Sequence, residues 1–78
     1  TKQGAEADFV LEVGRDLWGI EVKSARTASP DMLTGLQSLA GRAKRLKRKI
    51  LVCTTERRAR LGDVEVIPIQ EFLAELPV

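Results

Sequence analysis

Two stretches of alternating apolar residues, Asp8 to Val13 and Leu17 to Lys23, flank a short Gly14-Arg15-Asp16 connection. A period of two marks a strand that buries one face. So short a connection calls for antiparallel pairing, a hairpin. In the first strand Phe9, Leu11 and Val13 share a face, opposite Asp8, Val10 and Glu12. In the second, Trp18, Ile20 and Val22 lie opposite Leu17, Gly19, Glu21 and Lys23. A slip of one residue would turn one apolar set toward water, so the parity of the register is fixed. The expected pairs are Val13 with Trp18, Leu11 with Ile20 and Phe9 with Val22. Asp8 then falls opposite Lys23, and Val10 opposite Glu21. Asp8, Glu21 and Lys23 share one face at the end away from the turn.

Beyond the hairpin, Ser24 to Ala28 reads as a loop. Ser29 suits an N-cap, Pro30 the first helical position, and Asp31 the positive end of a helix dipole. Met32, Leu33, Leu36, Leu39, Ala40 and Ala43 recur at helical spacing, which predicts a helix from Pro30 to about Leu46. Gly35 and Gly41 each weaken that helix by about 1 kcal/mol relative to alanine and point to close packing against a sheet. Lys49 to Thr54 is a short apolar run suited to a strand buried on both faces. Thr55 to Asp63 reads as a charged loop and Val64 to Ile67 as a strand. Pro68 opens a final helix with Ile69, Phe72, Leu73 and Leu76 as its buried stripe. The order strand-strand-helix-strand-strand-helix implies an α/β domain, a mixed sheet with helices packed on it.

The chain has 78 residues, enough for one domain, 1–78, with a small core. Its 44% hydrophobic and 31% charged residues exclude a disordered chain. No apolar run spans a bilayer and no signal-peptide pattern opens the chain, so no membrane partner is expected. Cys53 is the single cysteine, which fits a reducing cytoplasm; set in an apolar run, it reads as core rather than nucleophile. Without histidine, a His-ligated zinc and any Ser-His or Cys-His pair are excluded. The first residue is Thr rather than Met, which reads as a piece of something longer. The net charge is only +2, but Arg42, Lys44, Arg45, Lys47, Arg48 and Lys49 crowd together, with a second group at Arg57, Arg58 and Arg60. Either the first cluster contacts phosphates, or it is a solvated helix end whose cations face the C-terminal carbonyls.

The chemistry of the hairpin end is similarly open. Asp8 and Glu21 offer hard oxygen ligands suited to Mg²⁺ or Mn²⁺. A metal there would acidify a bound water and neutralise phosphate charge, with Lys23 orienting the water or stabilising the transition state. The plain alternative is a cross-strand ion pair of Asp8 with Lys23, worth about 0.2–1 kcal/mol.

Asp8, then Glu21-Val22-Lys23, with strand, turn and strand between and a helix after, resembles the PD-(D/E)xK nuclease superfamily. Gly4-Ala5-Glu6-Ala7-Asp8-Phe9-Val10-Leu11 and Gly19-Ile20-Glu21-Val22-Lys23-Ser24 are similar to the nuclease-like C-terminal domain of prokaryotic AAA-type ATPases. The resemblance implies a three-layer α/β/α restriction-endonuclease-like core with a mixed sheet, truncated at the N-terminus. It implies metal binding by Asp8 and Glu21, and water activation or phosphate contact by Lys23. Some members add a glutamine from the following helix, a role Gln37 can fill; otherwise Gln37 is a polar residue beside the buried stripe. Glu6 is a candidate accessory acid. The helix and first strand that usually precede the Asp-bearing strand are absent, Thr1 to Gln3 reading as the end of that strand, and the exposed edge invites a homodimer. The implied function is Mg²⁺- or Mn²⁺-dependent hydrolysis of DNA beside an ATPase domain of the same chain. The alternative is a non-catalytic nucleic-acid- or protein-interaction module that keeps the fold.

Overall fold

The structure, a computed structural model, describes residues 8–76. Glu6, the stretch Thr1 to Gln3 and the motif residues before Asp8 lie outside the described residues. The elements are β1 (Phe9–Val13), β2 (Asp16–Val22), a 3-10 turn (Pro30–Leu33) leading into α1 (Thr34–Ala40), β3 (Leu46–Cys53), β4 (Ala59–Leu61), β5 (Val64–Pro68) and α2 (Ile69–Glu75). They form one five-stranded sheet in the order β1-β2-β3-β5-β4. Its centre, β2–β3 and β3–β5, is parallel, and both flanking pairs are antiparallel, so the sheet is mixed as expected.

Both antiparallel pairs close through two-residue turns led by glycine. Gly14 and Gly62 each sit at φ +64°, and no other described residue type has positive φ. Glycine enters that region without a Cβ penalty, and a Gly-X turn matches the right-handed twist of its strands. The first turn corrects the expected register. Val13 pairs with Asp16, not Trp18, so Leu11 faces Trp18 and Phe9 faces Ile20. The offset from expectation is two residues, which preserves parity and the face assignments within the two strands. The second turn reveals β4, three residues that were expected to be loop. Its signal is Gly62-Asp63 set between Leu61 and Val64.

The helix expected to reach Leu46 ends at Ala40. Sheet pairing overrides helix propensity beyond it: the Leu17 N–H donates to the Arg45 carbonyl at 2.9 Å, and Leu46 pairs with Leu17. Ser29 is extended, and its hydroxyl donates to Asp31 Oδ1 at 2.6 Å rather than capping the backbone. The register between β2 and β3 then jumps, Leu17 pairing with Leu46 and Trp18 with Arg48. Lys47 is the extra residue of a bulge, which turns Leu46 and Arg48 to opposite faces.

The two helices cover opposite faces of the sheet. Leu33 and Leu36 join Leu51, Cys53, Val64 and Val66 on one; Phe72 joins Ile20, Ile50, Val52 and Ile67 on the other. The glycine that admits α1 to the sheet is Gly19 of β2. A Cβ there would meet Leu39 Cδ2 at 2.9 Å and the tips of Leu36 and Leu46 at 3.3 Å. These are movable side-chain ends, so Gly19→Ala is expected to cost about 1 kcal/mol and the branched Gly19→Val about 3 kcal/mol, by overpacking. Urea unfolding of the two variants tests this, and equal midpoints would refute the close approach.

On the other face the expected stripe of α2 is only partly covered. Phe72 is buried, but Ile69 and Leu73 are exposed. Together with Phe9, Leu11, Ile20, Val22 and Val52 they line an open apolar cleft of about 430 Å³ between the hairpin and α2. No helix among the described residues is long and apolar enough to cross a membrane.

Candidate functional site

Asp8 immediately precedes β1, one residue before the Phe9–Ile20 pair, and so lies at the strand end beside Glu21 and Val22. Asp8 Oδ2 accepts the Val22 N–H at 3.0 Å, which ties the two strand ends together. Glu21 is the one buried charged side chain among the described residues, 6% exposed. Its Oε2 lies 3.3 Å from Lys23 Nζ, whose side chain is 44% exposed. Its Oε1 is buried with no hydrogen-bond partner. The period of two along β2 brings Glu21 and Lys23 side by side, and the pairing with β1 brings in Asp8.

A buried carboxylate oxygen without a partner is costly, roughly 1–3 kcal/mol and more for a charged group. A fold tolerates it where something other than the chain satisfies the oxygen, or where the site stores strain. The half-exposed Lys23 ammonium offsets part of that cost from one side only. Among the described residues, no three or more His, Cys, Asp or Glu side chains converge as a ready cation cage.

Gln37 is engaged elsewhere. Its Nε2 donates to Asp63 Oδ1 and its Oε1 accepts from Lys49 Nζ, both at 3.3 Å, while Lys49 also pairs with Asp63. The Lys49 hydrogen bond holds the Asp63 carboxyl below its ordinary range. Gln37 thus anchors α1 to the turn between β4 and β5.

The expected phosphate-binding cluster also divides. Arg42 and Lys44 lie on the connection after α1 and Lys47 on the bulge, all exposed. Arg45 is spent on the Arg15 carbonyl (2.8 Å) and Glu12 (3.1 Å) of the hairpin. Arg48 lies on the face covered by α2, 4.4 Å from the Trp18 ring centroid. Its Nε and Nη2 donate to both Glu65 oxygens at 2.8 and 2.6 Å, and Glu75 lies 2.9 Å away. Glu75 also pairs with Arg58. The Arg48 hydrogen bond lowers the Glu65 pKa and raises that of Arg48. Arg48 is a structural cation.

Arg26 and Arg57, which sequence reasoning left out of the site, stand on the loops that follow β2 and β3 and line an open groove with Thr27, Thr55 and Glu56. Their signal was positional, since each follows a strand of the parallel centre. Lys23, the residue after β2, lies at that same edge of the sheet.

Residues 1–72 match a family model described as a domain of unknown function, DUF4143. No curated protein and no solved structure matches the chain.

Proposed function

The chain belongs to the DUF4143 family, and we propose that its Asp8–Glu21–Lys23 edge is the site of a restriction-endonuclease-like domain that hydrolyses DNA phosphodiester bonds with Mg²⁺ or Mn²⁺. The observation that carries this reading is Glu21, buried with one oxygen on Lys23 and the other unpartnered. A hard divalent cation satisfies such an oxygen, and Mg²⁺ needs only one or two carboxylates because it keeps several waters. Asp8 and Glu21 are the residues to hold it. When bound, the ion supplies a water of lowered pKa and neutralises charge on a phosphate oxygen.

The chain's own groups do the rest. Asp8, fixed by the Val22 N–H, holds its carboxylate at the strand end. Lys23 keeps its ammonium beside Glu21 yet open to solvent, so it can meet a phosphate and stabilise the charge that builds there. The family occurs in proteins associated with AAA-type ATPases, which supports an ATPase domain elsewhere in the same protein. A second reading, a non-catalytic interaction module, draws on the open apolar cleft beside α2.

Calorimetric titration with Mn²⁺ tests the first. The expected result is one saturable site, abolished in Glu21→Gln and weakened in Asp8→Asn. In metal-free buffer Glu21→Gln is expected to unfold at a higher temperature than the wild type, because it removes a buried charge with an unmet oxygen. Mn²⁺ binding that survives both substitutions rules the site out. Metal binding without Mg²⁺-dependent nicking of plasmid DNA favours the second reading.

A further inference from the structure

The cations within reach of the proposed site are not those of the conspicuous basic cluster. β2 and β3 run parallel, and Glu21 and Lys23 sit at the carboxyl end of β2. Arg42, Lys44 and Lys47 sit at the amino end of β3. The eight residues of β3 separate the two edges by roughly 20–25 Å at about 3.3 Å per residue. One phosphate cannot touch both.

The carboxyl edge has its own groove, about 600 Å³ and open to solvent, formed by the loops after β2 and β3. Backbone bonds join its walls: the Lys23 N–H donates to the Val52 carbonyl and the Thr54 N–H to the Ala25 carbonyl, each at 2.9 Å. Arg26, Thr27, Thr55, Glu56 and Arg57 line it. Arg57 makes no ion pair among the described residues. Arg26 meets Glu56 at 3.4 Å, with both side chains about four-fifths exposed. A pair that open to water contributes little, so its guanidinium is readily exchanged to another anion. Planar arginine forks suit phosphate oxygens, and the Thr27 hydroxyl is a donor for the same atoms, while that of Thr55 donates to the Arg57 carbonyl at 3.3 Å. In open α/β sheets the carboxyl ends of the strands are where ligands are received.

We propose that this groove is the docking track for a nucleic-acid backbone, with Arg26 and Arg57 each holding a phosphate and leading the strand to Lys23. The assignment rests on the reading of Asp8, Glu21 and Lys23 as a phosphodiester site. Glu56 opposes it, a carboxylate in the same groove that repels the incoming phosphates and lets go of Arg26 when they arrive.

The test is binding of a fluorescein-labelled DNA duplex by anisotropy across a salt series, in EDTA so that cleavage and metal play no part. Arg26→Gln/Arg57→Gln is expected to reduce the slope of log affinity against log salt by about two, close to one per lost phosphate contact. Glu56→Gln is expected to tighten binding. All three side chains are exposed, so the variants should melt with the wild type. An unchanged slope, no binding by the wild type, or a loss confined to Lys44→Gln/Lys47→Gln overturns the proposal. Failure of the hydrolytic reading looks different: binding remains dependent on Arg26 and Arg57, but adding Mg²⁺ gives no cleavage.

Discussion

Leu51→Ala is expected to destabilise the domain by about 2–5 kcal/mol, through the lost burial of the side chain and the cavity it leaves. Leu51 is fully buried in the middle of β3, paired with Glu21 on one side and Val66 on the other. Its side chain belongs to the cluster with Leu33, Leu36, Cys53, Val64 and Val66 beneath α1. Neighbours rooted in two strands, the 3-10 turn and α1 cannot all close in, so little of the cavity collapses. A domain this small has a total stability of roughly 4–12 kcal/mol, which makes the loss a large fraction of the whole. The midpoint of thermal unfolding should fall by roughly 10–30 °C. Circular dichroism melts check this, and a shift of a few degrees would mean that the centre of the sheet repacks. Leu51→Met, close in volume, should stay near the wild type.

The second large effect is expected at Arg48. Arg48→Met keeps the length of the apolar stem over Trp18 but removes the guanidinium from Glu65 and Glu75. These side chains are only 19% to 27% exposed, so the loss should approach that of charge-assisted hydrogen bonds, roughly 2 kcal/mol. Glu75 retains Arg58, whereas Glu65 loses the bonds to both its oxygens. Removing the acid as well, in Arg48→Met/Glu65→Met, should recover much of the stability, because the penalty lies in the charge left behind.

The same pair sets an acid limit. The folded state lowers the Glu65 pKa, chiefly through the Arg48 hydrogen bond. Its contribution is therefore complete above the ordinary carboxylate value and disappears as pH falls through the lowered folded value. Urea midpoints measured from neutral pH into the acid range should fall more steeply for the wild type than for Arg48→Met. Parallel curves would show that Glu65 titrates alike in the folded and unfolded chain.

Alternation along Asp8–Val13 and Leu17–Lys23 sufficed to assign faces, because parity survives any even error. It could not supply the offset, which depends on whether the turn holds two residues or four. Gly14 at positive φ decides for two. The net result is that Phe9 faces Ile20 rather than Val22, and the Asp8 carboxylate takes the Val22 N–H. Leu46 shows why the first helix was read too long. It packs its side chain against the Gly19 position, as Leu36 and Leu39 do, so the apolar spacing continues while the backbone has become a strand.

Charge was harder to read than hydrophobicity. Arg45 and Arg48 look in sequence like members of a basic run. The bulge at Lys47 and the strand pairing turn Arg48 toward Glu65 and Glu75, partners that lie far along the chain. The depth of Glu21 was equally hidden, since a glutamate in an alternating strand reads as the water-facing residue. Ile69 and Leu73 err the other way: helical spacing marks them as core, yet the sheet beside them leaves an open cleft.

The two glycine-led turns at opposite edges of the sheet have a kinetic consequence. Each hairpin can close from neighbouring residues within microseconds, but a lone two-stranded hairpin is barely stable in water. What joins them is β3, which has only parallel neighbours and must find both across long stretches of chain. Such non-local closures are slow. The domain therefore has no half that stands by itself: assembly waits on the arrival of its central strand, and loosening that strand releases both hairpins together.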